Sequence, residues 1–303
     1  MADAQQRERL AAELEGLPVQ FGLAPSNDVW VRDHGPIGVQ TPAGLRLLKF
    51  RFDGWGGKYP AALDDRVVWH LAEQGLLAPW GDPVEPGFTL EGGAIEGDGA
   101  GTLLATRRSI VDEARNPDLD ADTLGAKLRD ALGLKRVLWL EHGGLAGDDT
   151  DGHIDTLARF ASPEAIVYQG CQDPTLPNHA ALSRMAEELR ALRRADGQAY
   201  TLYALPHTEQ AHGDAHAPLP TSYANALLLN GRVLVPQYGD PSDAAALQVW
   251  QQARPQDAVE GVDCRRLVQQ YGGLHCATMN IPAPAAAGEP ALNLDAATAS
   301  ERP

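Results

Sequence analysis

The segment Thr150-Asp-Gly-His-Ile-Asp-Thr-Leu-Ala-Arg-Phe160 sets an imidazole and a carboxylate two residues apart. Its β-compatible residues from Gly152 to Phe160 predict an extended strand, which would send His153 and Asp155 out of the same face. That is a proton-handling group beside an anion. Other residues able to do chemistry stand far from it in the chain. They are Asp33 in Ser26-Asn-Asp-Val-Trp-Val-Arg-Asp-His-Gly-Pro36, Glu91 in Leu90-Glu-Gly-Gly-Ala-Ile95, Asn225 in Ser222-Tyr-Ala-Asn225, and Cys276, shortly after Gly272-Gly273. Alone, Cys276 reads as a small buried apolar residue. With a His-x-Asp pair and further carboxylates it completes the minimal set for covalent catalysis: a thiolate nucleophile, an imidazole acid and base, and an orienting carboxylate.

The surplus of acids narrows what such a thiolate could attack. Asp33, Glu91 and Asp155 would repel an anionic or simple acyl substrate and would hold a planar cation. A guanidinium presents its N–H donors in a fork that carboxylates accept in pairs. Trp30 or Trp55 could stack on its flat face, core packing being the better reading for one of the two.

The elements that must position these residues follow a repeated order. A helix is predicted from about Asp3 to Leu14, then a short strand at Val19-Gln-Phe21. Asp33 precedes a hairpin made of Ile37-Gly-Val39 and Leu45-Arg-Leu-Leu-Lys-Phe50. Glu91 stands at the entrance of a second, Leu90 to Ile95 with Thr102 to Thr106, and the His-x-Asp pair at a third, with Ala165 to Tyr168. Asn225 lies in a fourth, where Asn230-Gly231 is the favoured two-residue turn. Helical spacing appears in Asp64 to Leu77, Asp122 to Leu132, Ala180 to Arg194 and Asp243 to Gln252, with strands at Arg136 to Leu140 and Ala199 to Tyr203. The polar positions Asp33, Glu91, His153, Asn225 and Cys276 thus recur at roughly 50 to 70 residues, somewhat long and uneven for a repeated supersecondary unit. Arranged in a ring, such units would bring five hairpin entrances to one axis. The Ala/Pro/Gly/Glu-rich stretch 284–303 is expected to be disordered, leaving 1–283 as a single domain.

Composition excludes several classes of protein. The 303-residue chain has 44% hydrophobic and 22% charged residues and a formal charge of −16, so no basic stripe is available for nucleic acid. That acidity suits solubility and, secondarily, collection of a cationic substrate. Three cysteines, none in a CxxC pair, do not make a disulfide framework and fit a reduced compartment. The polar N-terminus lacks a signal-peptide core, and no apolar run approaches the ~20 residues that span a bilayer. A cytoplasmic location is the expectation.

Eight motifs carry a family resemblance: Asn27-Asp-Val-Trp-Val-Arg-Asp-His-Gly-Pro36, Trp55-Gly-Gly-Lys-Tyr59, Leu90-Glu-Gly-Gly93, Asp98-Gly-Ala-Gly-Thr102, Arg115-Asn-Pro117, Thr150-Asp-Gly-His-Ile-Asp155, Ser222-Tyr-Ala-Asn225 and Leu274-His-Cys276. In this order, from about Pro18 to Pro282, they resemble the agmatine deiminases and the bacterial-type peptidyl-arginine deiminase family. The resemblance implies a pentein fold, an α/β architecture of five pseudo-repeated blades in a propeller, the first unit here being shortened at the N-terminus. It implies hydrolysis of a guanidinium substrate, most simply agmatine to N-carbamoylputrescine and ammonia, with peptidyl-arginine or another guanidine as alternatives. By resemblance Cys276 is the nucleophile, His153 the general acid and base, Asp33 and Asp155 the guanidinium binders, and Glu91 a residue orienting histidine or substrate. Trp30, Trp55 and Asn225 would line the substrate site. No metal or cofactor is implied, and a homo-oligomer is compatible with it. His34, Met279-Asn280 and Ser109 depart from the family pattern and leave the identity of the guanidine open.

Two other classes compete. Gly152-His-Ile-Asp-Thr156 is similar to the metal-binding stretch of zinc-dependent aminoacylases and peptidases, but its Glu-Glu partner, Glu187-Glu188, falls inside a predicted helix. A non-catalytic binding protein of the same fold would not require Cys276, His153 and three acids together. Glu96-Gly-Asp-Gly-Ala-Gly101 links two strands rather than opening a helix, which argues against a dinucleotide loop. His207, His212 and His216 read as solvated loop residues.

Overall fold

The computed structural model describes residues 4–42, 44–208 and 217–283. Along them one pattern recurs: an antiparallel hairpin, a helix, and a strand parallel to the hairpin's second strand. In the first unit β1 (Ile37–Thr41) pairs with β2 (Gly44–Leu48). Helix Val67–Glu73 follows, and the chain returns beside β2 as single parallel bridges, Leu48 to Val84 and Arg51 to Thr89. The second unit has β3 (Ile95–Gly97), β4 (Thr102–Thr106), helix Ala121–Leu132 and β5 (Arg136–Leu140). The third has β6 (Ala158–Ser162), β7 (Ala165–Gln169), helix His179–Ala191 and β8 (Thr201–Leu205). The fourth has β9 (Leu227–Leu229), β10 (Arg232–Gln237), helix Asp243–Ala253 and β11 (Ala258–Asp263). This is an α/β chain with several small sheets.

Local chemistry explains the boundaries. The Asp120 side chain accepts from Thr123 N and starts the helix that Gly133, in the left-handed region, ends. Asn230 and Gly231 both have positive φ, 48° and 75°, as a two-residue hairpin turn requires. Leu182, Met185, Ala186 and Leu189 are buried on one stripe of their helix. The cores are shared between neighbours. Leu104 and Leu140 of the second unit pack in one cluster with Leu157, Ile166 and Met185 of the third. Val167 and Leu205 of the third pack with Tyr223, Val233 and Trp250 of the fourth. A three-stranded unit has too little apolar area to stand alone, so each is held against the next.

Several expectations need correction. Val19-Gln-Phe21 forms no strand: Val19 is exposed and no neighbouring strand pairs with it. Gly152 to Phe160 is not extended throughout. Asp151 and Gly152 take positive φ, a single 3-10 turn runs from Ile154 to Thr156, and β6 begins only at Ala158. The cause is local capping: Asp148 accepts from Thr150 N and Gly152 N, and Thr156 Oγ1 donates to the His153 carbonyl, which outweighs the strand propensity of the segment. A 3-10 turn, Gly92–Ala94, likewise separates Glu91 from β3, and a turn separates Ser222 from β9. β11 was absent from the sequence reading because its residues are largely exposed and interrupted by Gly261, as suits a sheet edge. Four units are present among the described residues, and Cys276 is followed there by no strand. The stretch 284–303 and residues His212 and His216 lie outside the described residues.

Candidate active site

Each of the first four polar positions sits where a short turn meets a hairpin, and these turns converge. Asp33 lies in the helical turn Val31–His34, Glu91 just before Gly92–Ala94, His153 just before Ile154–Thr156, Asn225 just before β9. Cys276 lies in the turn after Gly273, and its carbonyl accepts from Arg32 N, tying the last position to the first. All five are buried, as is Asp155.

Their polar atoms are linked. Cys276 Sγ accepts from Asn225 Nδ2 at 3.2 Å and lies 3.7 Å from Asp155 Oδ2. Asp155 Oδ2 also accepts from Asn225 Nδ2 at 3.1 Å and from His275 Nδ1 at 2.7 Å, while Oδ1, equally buried, has no protein partner. His153 Nε2 is 2.9 Å from Glu91 Oε2, and Nδ1 is 3.5 Å from Asp33 Oδ1. Asp33 accepts from Gly93 N at 2.9 Å and from Trp55 Nε1 at 2.9 Å. Gly93 stands among these groups: a Cβ there would lie 2.7 Å from His153 Nδ1, 2.8 Å from Asp33 Oδ1 and 3.2 Å from Asp155 Oδ2. Only glycine lets the two acids and the imidazole approach so closely.

The electrostatics follow from that crowding. Burial disfavours charge on His153, but the Asp33 charge and the Glu91 hydrogen bond and charge outweigh it and push its pKa up to about 9. Burial, assisted by Asp33, raises Asp155 to about 6 against the opposing charges of His153, Arg159 and Arg32. Burial and then the charges of Asp155 and Asp33 push the Cys276 thiol well above its ordinary value. These shifts favour an imidazolium at His153 and a thiol at Cys276. Added positive charge between the acids would favour the thiolate.

A cavity of about 170 Å³ opens onto Cys276, Asp33, Trp30 and Trp55, with Asp28, Tyr59 and Asp149 also lining it. A larger one, about 570 Å³, lies behind, lined by Arg32, Arg159, His275 and the apolar residues of β1, β3 and β9. Of the two, the smaller cavity reaches the thiol. Trp55 sits in a glycine-rich loop with left-handed backbone, φ 59°, and stacks edge-on against Phe52 and Tyr59. The ring of Trp30 covers Gly272, where a Cβ would meet it at 2.5 Å. Lys58 and Arg32, two cations that could have met a substrate carboxylate, are engaged within the protein. Lys58 Nζ donates to Asp151 Oδ2 and the Asp149 carbonyl at 2.6 Å, and Arg32 is buried on Asn280 Oδ1 at 2.8 Å.

Sequence reasoning missed three supporting side chains. Arg115 is buried and donates from Nε to both Glu91 oxygens at 2.9 Å, and from Nη1 to Asp151 at 2.8 Å. Its Arg-Asn-Pro motif carries part of the family resemblance, which assigns it no role. Arg159, on β6, and His275, next to Cys276 in the chain, stand behind Asp155, with Arg159 Nη2 3.2 Å from His275 Nε2. A buried charge inside a strand was the available signal for Arg159. Among the described residues no group of three or more His, Cys, Asp or Glu is arranged to hold a metal ion, and Glu187-Glu188 lie on helix His179–Ala191. Nor, among the described residues, is any helix long and apolar enough to cross a membrane.

The chain is similar to several known proteins. Agmatine deiminase of Stutzerimonas stutzeri is 32% identical, the match covering 93% of this chain and 82% of that one. A cysteine-to-serine variant of C. jejuni agmatine deiminase, solved with substrate bound, has a TM-score of 0.83 at 32% identity, covering 90% of this chain and 79% of the other. Agmatine deiminase of Enterococcus faecalis gives a TM-score of 0.81 at 28% identity, covering 90% and 80%. The family of Porphyromonas-type peptidyl-arginine deiminases matches residues 1–282, and the chain belongs to that family.

Proposed function

We propose that this protein is a guanidine deiminase that hydrolyses agmatine to N-carbamoylputrescine and ammonia. The observation that carries this reading is Asp155 Oδ1, a fully buried carboxylate oxygen without a protein partner, in a residue whose other oxygen is 3.7 Å from Cys276 Sγ. A buried carboxylate left half-satisfied calls for a cationic donor, and Asp33 offers a second acceptor nearby. A guanidinium held between Asp33 and Asp155 places its carbon against the thiol.

The chemistry then follows from the charges. The bound cation offsets the carboxylates that hold Cys276 as a thiol, and its proton passes to solvent as the thiolate forms. Sulfur attacks the guanidinium carbon. His153, already protonated, gives its proton to the departing nitrogen, which leaves as ammonia, and an S-alkylthiouronium remains on Cys276. Neutral His153 then takes a proton from water as its oxygen bonds to the same carbon. The C–S bond breaks, the thiolate returns, and the ureido product sheds its remaining proton to solvent and leaves. Glu91, itself fixed by Arg115, orients the imidazole and holds its proton.

The far end of the substrate is read by charge. Asp28 and Asp149 line the cavity, and among the described residues no lysine or arginine does, so the cavity suits a second ammonium better than an α-carboxylate. This favours agmatine over free arginine, and the comparable proteins named agmatine deiminases support the choice. The shared cores and the convergence of five polar turns also support a ring of five units closed near Cys276, with 1–283 as one catalytic domain. A reducing cytoplasm would keep the nucleophile a free thiol. Ammonia release from agmatine, arginine and a peptidyl-arginine, in EDTA, tests the assignment. Agmatine should be preferred and Cys276→Ala inactive. A preference for either arginine substrate would overturn the choice of agmatine, and no turnover of any would overturn deimination.

A further inference from the structure

We propose that Arg159 and His275 are positioning residues for Asp155: Arg159 fixes the His275 ring, and His275 holds one carboxylate oxygen so that the other faces the substrate. This rests on the reading of Asp155 as a guanidinium binder. The geometry leaves His275 one tautomer. Its Nε2 is 3.2 Å from Arg159 Nη2, and a guanidinium can only donate, so Nε2 must be the acceptor. The ring proton is therefore on Nδ1, which donates to Asp155 Oδ2 at 2.7 Å. Protonation of both nitrogens would set an imidazolium against Arg159, and the pKa of His275 is accordingly held well below its ordinary value by burial and by the charges of Arg159 and Arg32.

Arg159 is itself locked. Its Nε donates to Glu96 Oε2 at 2.7 Å and its Nη1 to the carbonyls of Ala226 and Ala224, at 2.7 and 3.3 Å. Those two carbonyls flank Asn225, whose Nδ2 donates to both Asp155 and Cys276. One guanidinium thus braces both donors to Asp155 Oδ2 from behind, and Oδ1 is left to receive the substrate. The ionisable groups facing Asp155 are His153, Asp33, Cys276, His275, Arg159 and Arg32. Only His275 couples it to Arg159 through a hydrogen-bonded ring.

The test compares wild type, His275→Ala, His275→Asn and Arg159→Lys for kcat and KM on agmatine across pH, with thermal unfolding measured alongside. Losing the donor should cut kcat/KM of His275→Ala by about ten- to a hundredfold, the worth of a hydrogen bond to a charged group. Its acidic limb should move to higher pH, because Asp155 then loses a group that favours its ionised form. His275→Asn keeps an N–H and should recover much of the activity and the wild-type limb. Arg159→Lys should move the limb in the same direction as His275→Ala. An unmoved acidic limb in folded His275→Ala and Arg159→Lys would overturn the proposal and leave both residues purely structural. A wild type that turns over no guanidine would instead sink the guanidinium-binding reading beneath it.

Discussion

His153 Nε2 stands 2.9 Å from Glu91 Oε2, while its other ring nitrogen faces Asp33 at 3.5 Å. The imidazole is thus flanked by carboxylates rather than paired with the thiol. Its pKa of about 9 makes it a proton donor at neutral pH, and that state is lost as pH rises through the same value. Glu91→Gln removes one of the charges that raise it, so the alkaline limb of the rate profile should move to lower pH. The peak kcat should fall by about 10² to 10⁴, the range for an impaired general acid. A pH–rate series on the variant checks both.

Gly93→Ala should abolish most activity while leaving the fold in place. The added Cβ would sit 2.7 Å from His153 Nδ1 and 2.8 Å from Asp33 Oδ1, so both groups must retreat. Misplacement on the order of 1 Å costs about 10²-fold in rate. Circular dichroism should be unchanged while kcat drops.

Most of this frame was legible in the sequence. Amphipathic helices such as Ala121–Leu132, capped by Asp120, and His179–Ala191, and the Asn230-Gly231 hairpin follow from local rules that tertiary packing did not override. The short turns that aim Glu91, His153 and Asn225 were not legible. They depend on side-chain caps such as Asp148 on Gly152 N, which compete with strand propensity over two or three residues. The acids and the thiol could be named from residue type, but not the role of Gly93, because a glycine's value at a close approach is set by residues distant in sequence. Arg159 and His275 were hidden for the same reason: their partners come from three different units.

Trp55→Phe keeps the aromatic wall but removes the N–H that donates to Asp33 Oδ2 at 2.9 Å. Asp33 would then be less well fixed for the substrate cation. KM for agmatine should rise by roughly tenfold, the equivalent of about 1.4 kcal/mol for a hydrogen bond to a carboxylate, with kcat less affected. Steady-state kinetics separate the two.

Arg115→Met leaves Glu91 buried without its arginine partner, with only His153 beside it. Breaking a buried pair by removing one member costs about 3 to 5 kcal/mol, so urea unfolding should show a loss of that order. Arg115→Lys keeps the charge but not the two bonds from one nitrogen to both oxygens, and should lose less stability.

The covalent step at Cys276 is tested most directly by acid-quenching the enzyme during turnover of agmatine and taking the mass of its peptides. The peptide containing Cys276 should carry the mass of the substrate less one ammonia, and Cys276→Ser should show no such adduct and no ammonia release. Full turnover by Cys276→Ser, or a quenched wild type whose adduct maps to Cys171 or Cys264, would contradict the account.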